Sequence, residues 1–207
     1  MTARIGVVAD THCPEFLDEL PPKLFEHLAG VDLILHAGDV GGPQTLQALA
    51  RVAPVQAVHG DHDQALAELP STLQVDAGGR RIGVIHGNRS HLVEEPITFL
   101  GTMTLGYYWP VPGLDAWLLR QFPDADVIVH GHTHSPAIRR HGSKLIFNPG
   151  AVYQVDRAAA LRRLSRQPGW FEWSWLQVAK HRRRVPAPTV GILEVGDEGV
   201  NATVLPL

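Results

Sequence analysis

At 207 residues the chain has room for one domain with insertions, since domains run to about 100–200 residues. Its 44% hydrophobic and 19% charged residues are globular values and exclude a largely disordered chain. Eighteen Lys and Arg against 21 Asp and Glu leave a net charge of −3, which excludes a globally basic nucleic-acid or membrane binder.

Cys13 stands alone, so an intramolecular disulfide and a cysteine-rich zinc module are both excluded. A small buried filler before Pro14 is the expected role of that thiol. Twelve histidines are the compositional oddity, and with many carboxylates in a reduced setting they point to metal chemistry. The first residues run straight into Ile5–Ala9 and then Asp10, a run too short for a signal peptide. The longest uncharged stretch, 96–114, is broken by Gly101, Gly106, Pro110, Pro112 and Gly113, so no membrane span is expected. The expectation is a soluble, cytoplasmic protein.

In chain order, short β-branched runs at Arg4–Ala9, Asp32–His36 and Val55–His59 read as buried strands. Between them the spacing predicts helices over Glu15–Ala29, with Phe16, Leu20, Leu24 and Leu28 every fourth residue, and over Pro43–Val52. Hairpins are expected at Thr72–Asp76 with Arg81–His86, at Ala137–Arg140 with Lys144–Phe147, and at Thr189–Val195 with Val200–Leu205. A helix near Leu114–Phe122 leads into a strand at Asp126–His130. Strands alternating with helices imply a layered α/β domain with mixed sheets.

Two segments break this rhythm and read as insertions into a single domain. One, over about 88–113, is apolar and aromatic, carrying Phe99, Tyr107, Tyr108 and Trp109. It reads as a lid over an apolar pocket or as an oligomer interface, and the second reading points to a homodimer. The other, over about 156–188, places eight Lys and Arg against one Glu within 157–184, together with Trp170, Trp173 and Trp175. It would grip a polyanion with tryptophans stacking on bases, or be a solvated face whose tryptophans pack on the domain.

Carboxylates and imidazoles fall at the ends of the expected strands: Asp10-Thr11-His12, Gly38-Asp39, Gly60-Asp61-His62-Asp63, His86-Gly87 and Gly131-His132-Thr133-His134. In a largely parallel sheet the carboxyl ends of the strands form the ligand crevice, so these groups should converge. Oxygen and nitrogen donors without thiolate suit Mn, Fe, Zn, Ni, Co or Mg. His59 and His130 precede glycine at strand ends, His36 precedes Ala37-Gly38, and all three read as core or supporting histidines. His27, His91, His141 and His181 read as surface groups. Asn148 reads as an anchor of its own turn.

This ordered set resembles the calcineurin-like metallophosphoesterases, whose pattern runs D-x-H, GD, GN-[HC]-[DE], H, GHTH. The short chain, GHTH and Asn148-Pro149-Gly150 look most like the small prokaryotic phosphodiesterase subgroup, which also contains the retromer scaffold subunit. The resemblance implies an αββα-type sandwich and two divalent metal ions, with manganese foremost. It places Asp10, His12 and His134 on the first metal, Asp39 between both, and Asp61, His86 and His132 on the second. It gives His62 the task of protonating the leaving oxygen or bracing the transition state, with Asp63 orienting its imidazole. The implied reaction is hydrolysis of a phosphate ester, a phosphodiester before a monoester, by a metal-bridging hydroxide. The alternatives are a non-catalytic protein-interaction scaffold and a nuclease using the basic insertion. No fixed arginine pair for a dianionic monoester is evident, although Arg89 could contact substrate. The sequence departs from the family in two places: Asp61 stands where Asn is usual, and Ala151 where Ser often follows Asn-Pro-Gly.

Overall fold

The computed structural model describes residues 2–89, 113–181 and 185–207. Most of the apolar segment, with Phe99, Tyr107, Tyr108, Trp109 and His91, lies outside the described residues. The chain divides into two compact units. The first comprises Met1–Gly87, Asp115–Tyr153 and Ala187–Leu207, and the second Asn88–Leu114 and Gln154–Pro186.

The first unit is built on two five-stranded mixed sheets. In one, β1 (Ala3–Val8), β2 (Leu33–His36) and β3 (Val55–Ala57) run parallel. Antiparallel β9 (Thr189–Gly196) and β10 (Gly199–Pro206) extend it on the other side of β1. In the other, β5 (Arg80–Ile85), β6 (Val127–His130) and β8 (Lys144–Asn148) are parallel. Its antiparallel edges are β4 (Thr72–Ala77) and β7 (Ala137–His141). Helices α1 (Pro22–Leu28) and α2 (Pro43–Leu49) connect β1 to β2 and β2 to β3. Helix α3 (Leu114–Gln121) precedes β6.

Strand alternation explains the layers. Ile5, Val7 and Ala9 cluster with Ile82, Val84, Val127, Val129 and Phe147 of the second sheet. The intervening Val8 packs with Leu24 and Leu28 of α1 and with Leu49 of α2. Each fully buried leucine of α1 contributes about 1.5–3 kcal/mol. With both faces covered, β1 holds its last residue rigidly, and the chain leaves the sheet just before Asp10.

Helix α1 is shorter than the apolar spacing predicts. It spans Pro22–Leu28, while residues 13–16 form a turn closed by the amides of Phe16 and Leu17, which both donate to the His12 carbonyl. The reason lies in Pro21 and Pro22, each of which pushes its predecessor out of the helical region, so the helix starts at the second of them. Among the described residues, no helix is long and apolar enough to cross a membrane.

In the second unit, α4 (Arg157–Ser165) is capped by Asp156, whose carboxylate accepts from the Ala159 amide at 2.7 Å. Helix α5 (Trp170–Ala179) is tied to it by Arg163, which donates to Glu172 through Nε at 2.9 Å and an η nitrogen at 2.6 Å. Trp170 and Trp173 stack on each other and are 79% and 43% exposed, so the expectation that these tryptophans pack on the domain fails for Trp170. Arg163 lies 5.5 Å from the ring of Trp175.

Candidate metal centre

The strand-end residues converge in the first unit, and five of them share an unusual backbone conformation. Asp10, His12, Asp39, His132 and His134 have φ of 51, 46, 54, 66 and 52°. Among the described non-glycine residues only Gln167 joins them at positive φ. Such conformations cost of order 1–3 kcal/mol each and persist only where the surroundings over-determine them. Here backbone bonds do so. Asp10 N donates to Gly38 O at 3.0 Å, His12 N to Asp39 O at 3.0 Å, and Gly131 N to His86 O at 2.9 Å. A Cβ on Gly60 would stand 2.2 Å from Asp39 Oδ1, and one on Gly131 2.8 Å from Asp10 Oδ2, so only glycine lets these loops approach the carboxylates.

The side chains meet around Asp39. Its Oδ2 lies 3.4 Å from His12 Nε2 and 3.4 Å from His86 Nε2, while its Oδ1 accepts from the His62 amide at 3.0 Å. On one side, His134 Nε2 is 3.3 Å from Asp10 Oδ1; on the other, His132 Nδ1 is 3.4 Å from Asp61 Oδ2. Donor atoms of Asp10, His12 and His134 lie within 4.8 Å of one another, and so do those of Asp61, His86 and His132. Two ligands held about 2.1 Å from one ion, at tetrahedral or octahedral angles, stand roughly 3.0–3.4 Å apart. The spacings between these oxygens and nitrogens match the edges of such coordination polyhedra. The residues fit divalent cations.

Electrostatics point the same way. Burial works against the charge on Asp10, but His134 and His86 hold its pKa below the usual carboxylate value. Asp39, likewise buried, is held well below it by His86 and His12. Burial opposes a charged His86, yet Asp39 and Asp10 push its pKa up to about 10. The Nδ1 of His86 donates to Ala37 O at 2.8 Å, which aims Nε2 at Asp39.

The Calcineurin-like phosphoesterase superfamily domain matches residues 3–162. A probable metallophosphoesterase of Methanothermobacter thermautotrophicus is 36% identical over 148 residues, covering 71% of this chain and 76% of the relative. One of Methanocaldococcus jannaschii is 34% identical, covering 72% and 68%. This chain belongs to the calcineurin-like phosphoesterase superfamily. Among solved structures, vacuolar protein sorting 29 of Cryptosporidium parvum shares the fold with a TM-score of 0.64 at 22% identity, covering 100% of this chain and 98% of that one. A novel archaeal phosphodiesterase does so with a TM-score of 0.57 at 17% identity, covering 98% and 99%.

Two features of the site are not legible in the motifs. Asp63 does not orient His62. Its carboxylate accepts instead from three backbone amides, Val40 at 3.1 Å, Gly41 at 3.0 Å and Gly60 at 2.9 Å, and clamps the loops that carry Asp39 and Asp61. The residue at His62 is Glu15, whose Oε1 lies 3.3 Å from His62 Nδ1. Burial would raise the Glu15 pKa, but His12 and His62 bring it down to about 2. The signal was an acid three residues after His12, easily absorbed into the expected helix. Asp63→Ala should strand the buried amides of Val40 and Gly60 and the half-buried amide of Gly41, at about 1–3 kcal/mol each. Urea unfolding of metal-free protein should show at least about 3 kcal/mol of lost stability; a loss below 1 kcal/mol would reject the clamp.

His36 and His130 are buried supports. His36 Nε2 is 3.0 Å from Thr11 Oγ1, and burial lowers its pKa to about 4. His130 is lowered to about 4 by burial and by Arg139. Asn148 donates to Gly131 O at 2.9 Å and Thr133 Oγ1 at 3.0 Å and accepts from Gly150 N at 2.8 Å, bracing the Gly131–His134 loop as well as its own turn. Cys13 is buried, as expected of a filler. His27 and His141 face Pro206 O and Asp115 at the surface. Arg89 belongs to the second unit.

Proposed function

We propose that this protein is a dinuclear metal-dependent phosphodiesterase. The observation that carries the reading is the single oxygen of Asp39 set 3.4 Å from ring nitrogens of two histidines that belong to different ligand groups. In this reading Asp10, His12 and His134 hold one ion, Asp61, His86 and His132 the second, and Asp39 is shared. Two divalent cations held there would supply Lewis acidity that makes water easier to deprotonate at neutral pH, together with charge to offset that of the phosphoryl oxygens. His62, with Nδ1 engaged by Glu15, presents Nε2 to the departing oxygen and gives it a proton. The five motifs contain carboxylates and imidazoles but no Lys or Arg, which suits a singly charged diester better than a dianionic monoester.

Chelator-stripped protein should hydrolyse an aryl phosphodiester only after Mn²⁺ is added, and faster than the matching monoester. No turnover with any of Mn, Fe, Zn, Ni, Co or Mg would replace this reading with the interaction scaffold. Diester turnover accompanied by binding of single-stranded DNA that weakens steeply with salt would favour the nuclease.

Metal uptake should also release protons. The pKa of His86 in metal-free protein is about 10, so near pH 7 its Nε2 carries a proton that a ligand nitrogen must give up. Because that pKa is raised, the charged pair's contribution to stability is complete below about 6.5 and disappears as pH rises through 10. Titration calorimetry with Mn²⁺ at pH 7, in buffers of different ionisation enthalpy, should show about one proton or more released per chain. A buffer-independent enthalpy would refute this.

A further inference from the structure

Glu15 is the one acid of the cluster that the seven ligand positions do not use. The chain turns sharply to bring it there: the amides of Phe16 and Leu17 donate to His12 O at 2.7 and 3.1 Å, folding 13–16 back towards the His12 ring. Its two oxygens then face two different imidazoles. Oε2 lies 3.6 Å from His12 Nδ1, and Oε1 lies 3.3 Å from His62 Nδ1. Aromatic rings close on both imidazoles. The ring centroid of Phe16 is 5.4 Å from that of His12 and 5.6 Å from that of His62, and Tyr153 is 5.6 Å from His12.

Donor atoms of His12, Glu15 and His62 lie within 4.8 Å of one another, a spacing that would also admit a third cation. The chemistry of His12 decides against one. On the proposed reading Nε2 of His12 holds the first ion beside Asp39, so a further ion on Nδ1 would require the imidazole to lose both ring protons. An imidazole committed through Nε2 keeps its proton on Nδ1, and the group facing Nδ1 is a carboxylate. Metal-ligating histidines are commonly held in this way, and such partners set both tautomer and ring orientation.

We propose that Glu15 is a positioning residue whose carboxylate accepts from Nδ1–H of both His12 and His62, turning Nε2 of the first to the metal and Nε2 of the second to the leaving oxygen. One side chain thereby couples the geometry of the metal centre to that of the proton donor. The part at His12 rests on the proposed metal centre and the part at His62 on the phosphodiesterase reading, while the ring orientations themselves are read in metal-free protein.

The test is Glu15→Gln in the full chain, which keeps the side chain's length but leaves one acceptor oxygen for two rings. Long-range ¹H–¹⁵N spectra of metal-free protein should show both histidines protonated at Nδ1 in the wild type and at least one of them changed in the variant. The Mn²⁺ dissociation constant should weaken about 10–100-fold. At saturating Mn²⁺, kcat on the aryl diester should fall with KM little changed, and Glu15→Gln should cost nothing further in a His62→Ala background. Thermal melts of the metal-free variant separate this from misfolding. Unchanged spectra and metal affinity would overturn the proposal, and so would a third Mn²⁺ bound by the wild type and lost in the variant. If neither protein turns over the diester, the phosphodiesterase reading fails, while spectra and metal affinity still decide the role of Glu15 at His12.

Discussion

Asp39→Asn should bind at most one Mn²⁺ per chain where the wild type binds two, and diester turnover should fall about a thousandfold or more. The substitution keeps an oxygen able to accept from the His62 amide, so the loop carrying His62 has no reason to move. What changes is the oxygen 3.4 Å from both His12 Nε2 and His86 Nε2, where an amide NH₂ would turn two donor hydrogens towards ring nitrogens that must face metal. Lewis-acid stabilisation is worth several kcal/mol, and each 1.36 kcal/mol is a factor of ten in rate, which sets the scale of the loss. Metal analysis after gel filtration, with kcat at saturating Mn²⁺, checks both halves. Two ions retained with turnover within tenfold of wild type would remove Asp39 from the shared position.

His62→Ala should lose about 10²–10⁴-fold in kcat and retain both ions. The contact between residue 62 and Asp39 runs through the backbone amide, which alanine keeps, so the metal ligands stay in place while the imidazole disappears. The loss should grow as the leaving group becomes more basic, because an alkoxide depends on a proton where a nitrophenolate scarcely does. A uniform loss across leaving groups would make His62 an electrostatic brace instead of an acid. Full activity would return the site to its seven other residues. A matching loss of metal would show that the ring itself supports the centre.

Much of this organisation lies on the surface of the sequence. β-Branched runs followed by Asp or His mark where strands end, and the spacing of apolar residues marks which faces are buried, because both patterns are local and repeat with the geometry of the chain. Strand-end residues such as Asp10, Asp39, His86 and His132 were therefore legible as a converging set, and the family with them. Helix α1 was legible only in its second half. The leucines at positions 20, 24 and 28 kept a helical spacing, while Pro21 and Pro22 decided where a helix could begin.

What only the tertiary structure decided was the direction of side chains on irregular backbone. Asp63 follows His62 in sequence and reads as its natural partner, yet a 3₁₀ turn begins at Gln64 and the Asp63 carboxylate reaches the amides of Val40, Gly41 and Gly60. Glu15, 47 residues away, lies against His62 instead. Nothing local announces that a non-glycine residue such as His12 will adopt positive φ; that conformation is imposed by amide bonds from other strands, and it carries the loop of Glu15 with it. Sequence by itself determined which carboxylates and imidazoles stand at strand ends, the strands themselves and the family, because residue type and periodicity are written along the chain. Which carboxylate serves which imidazole was settled in three dimensions, because that pairing depends on distances between segments far apart in sequence.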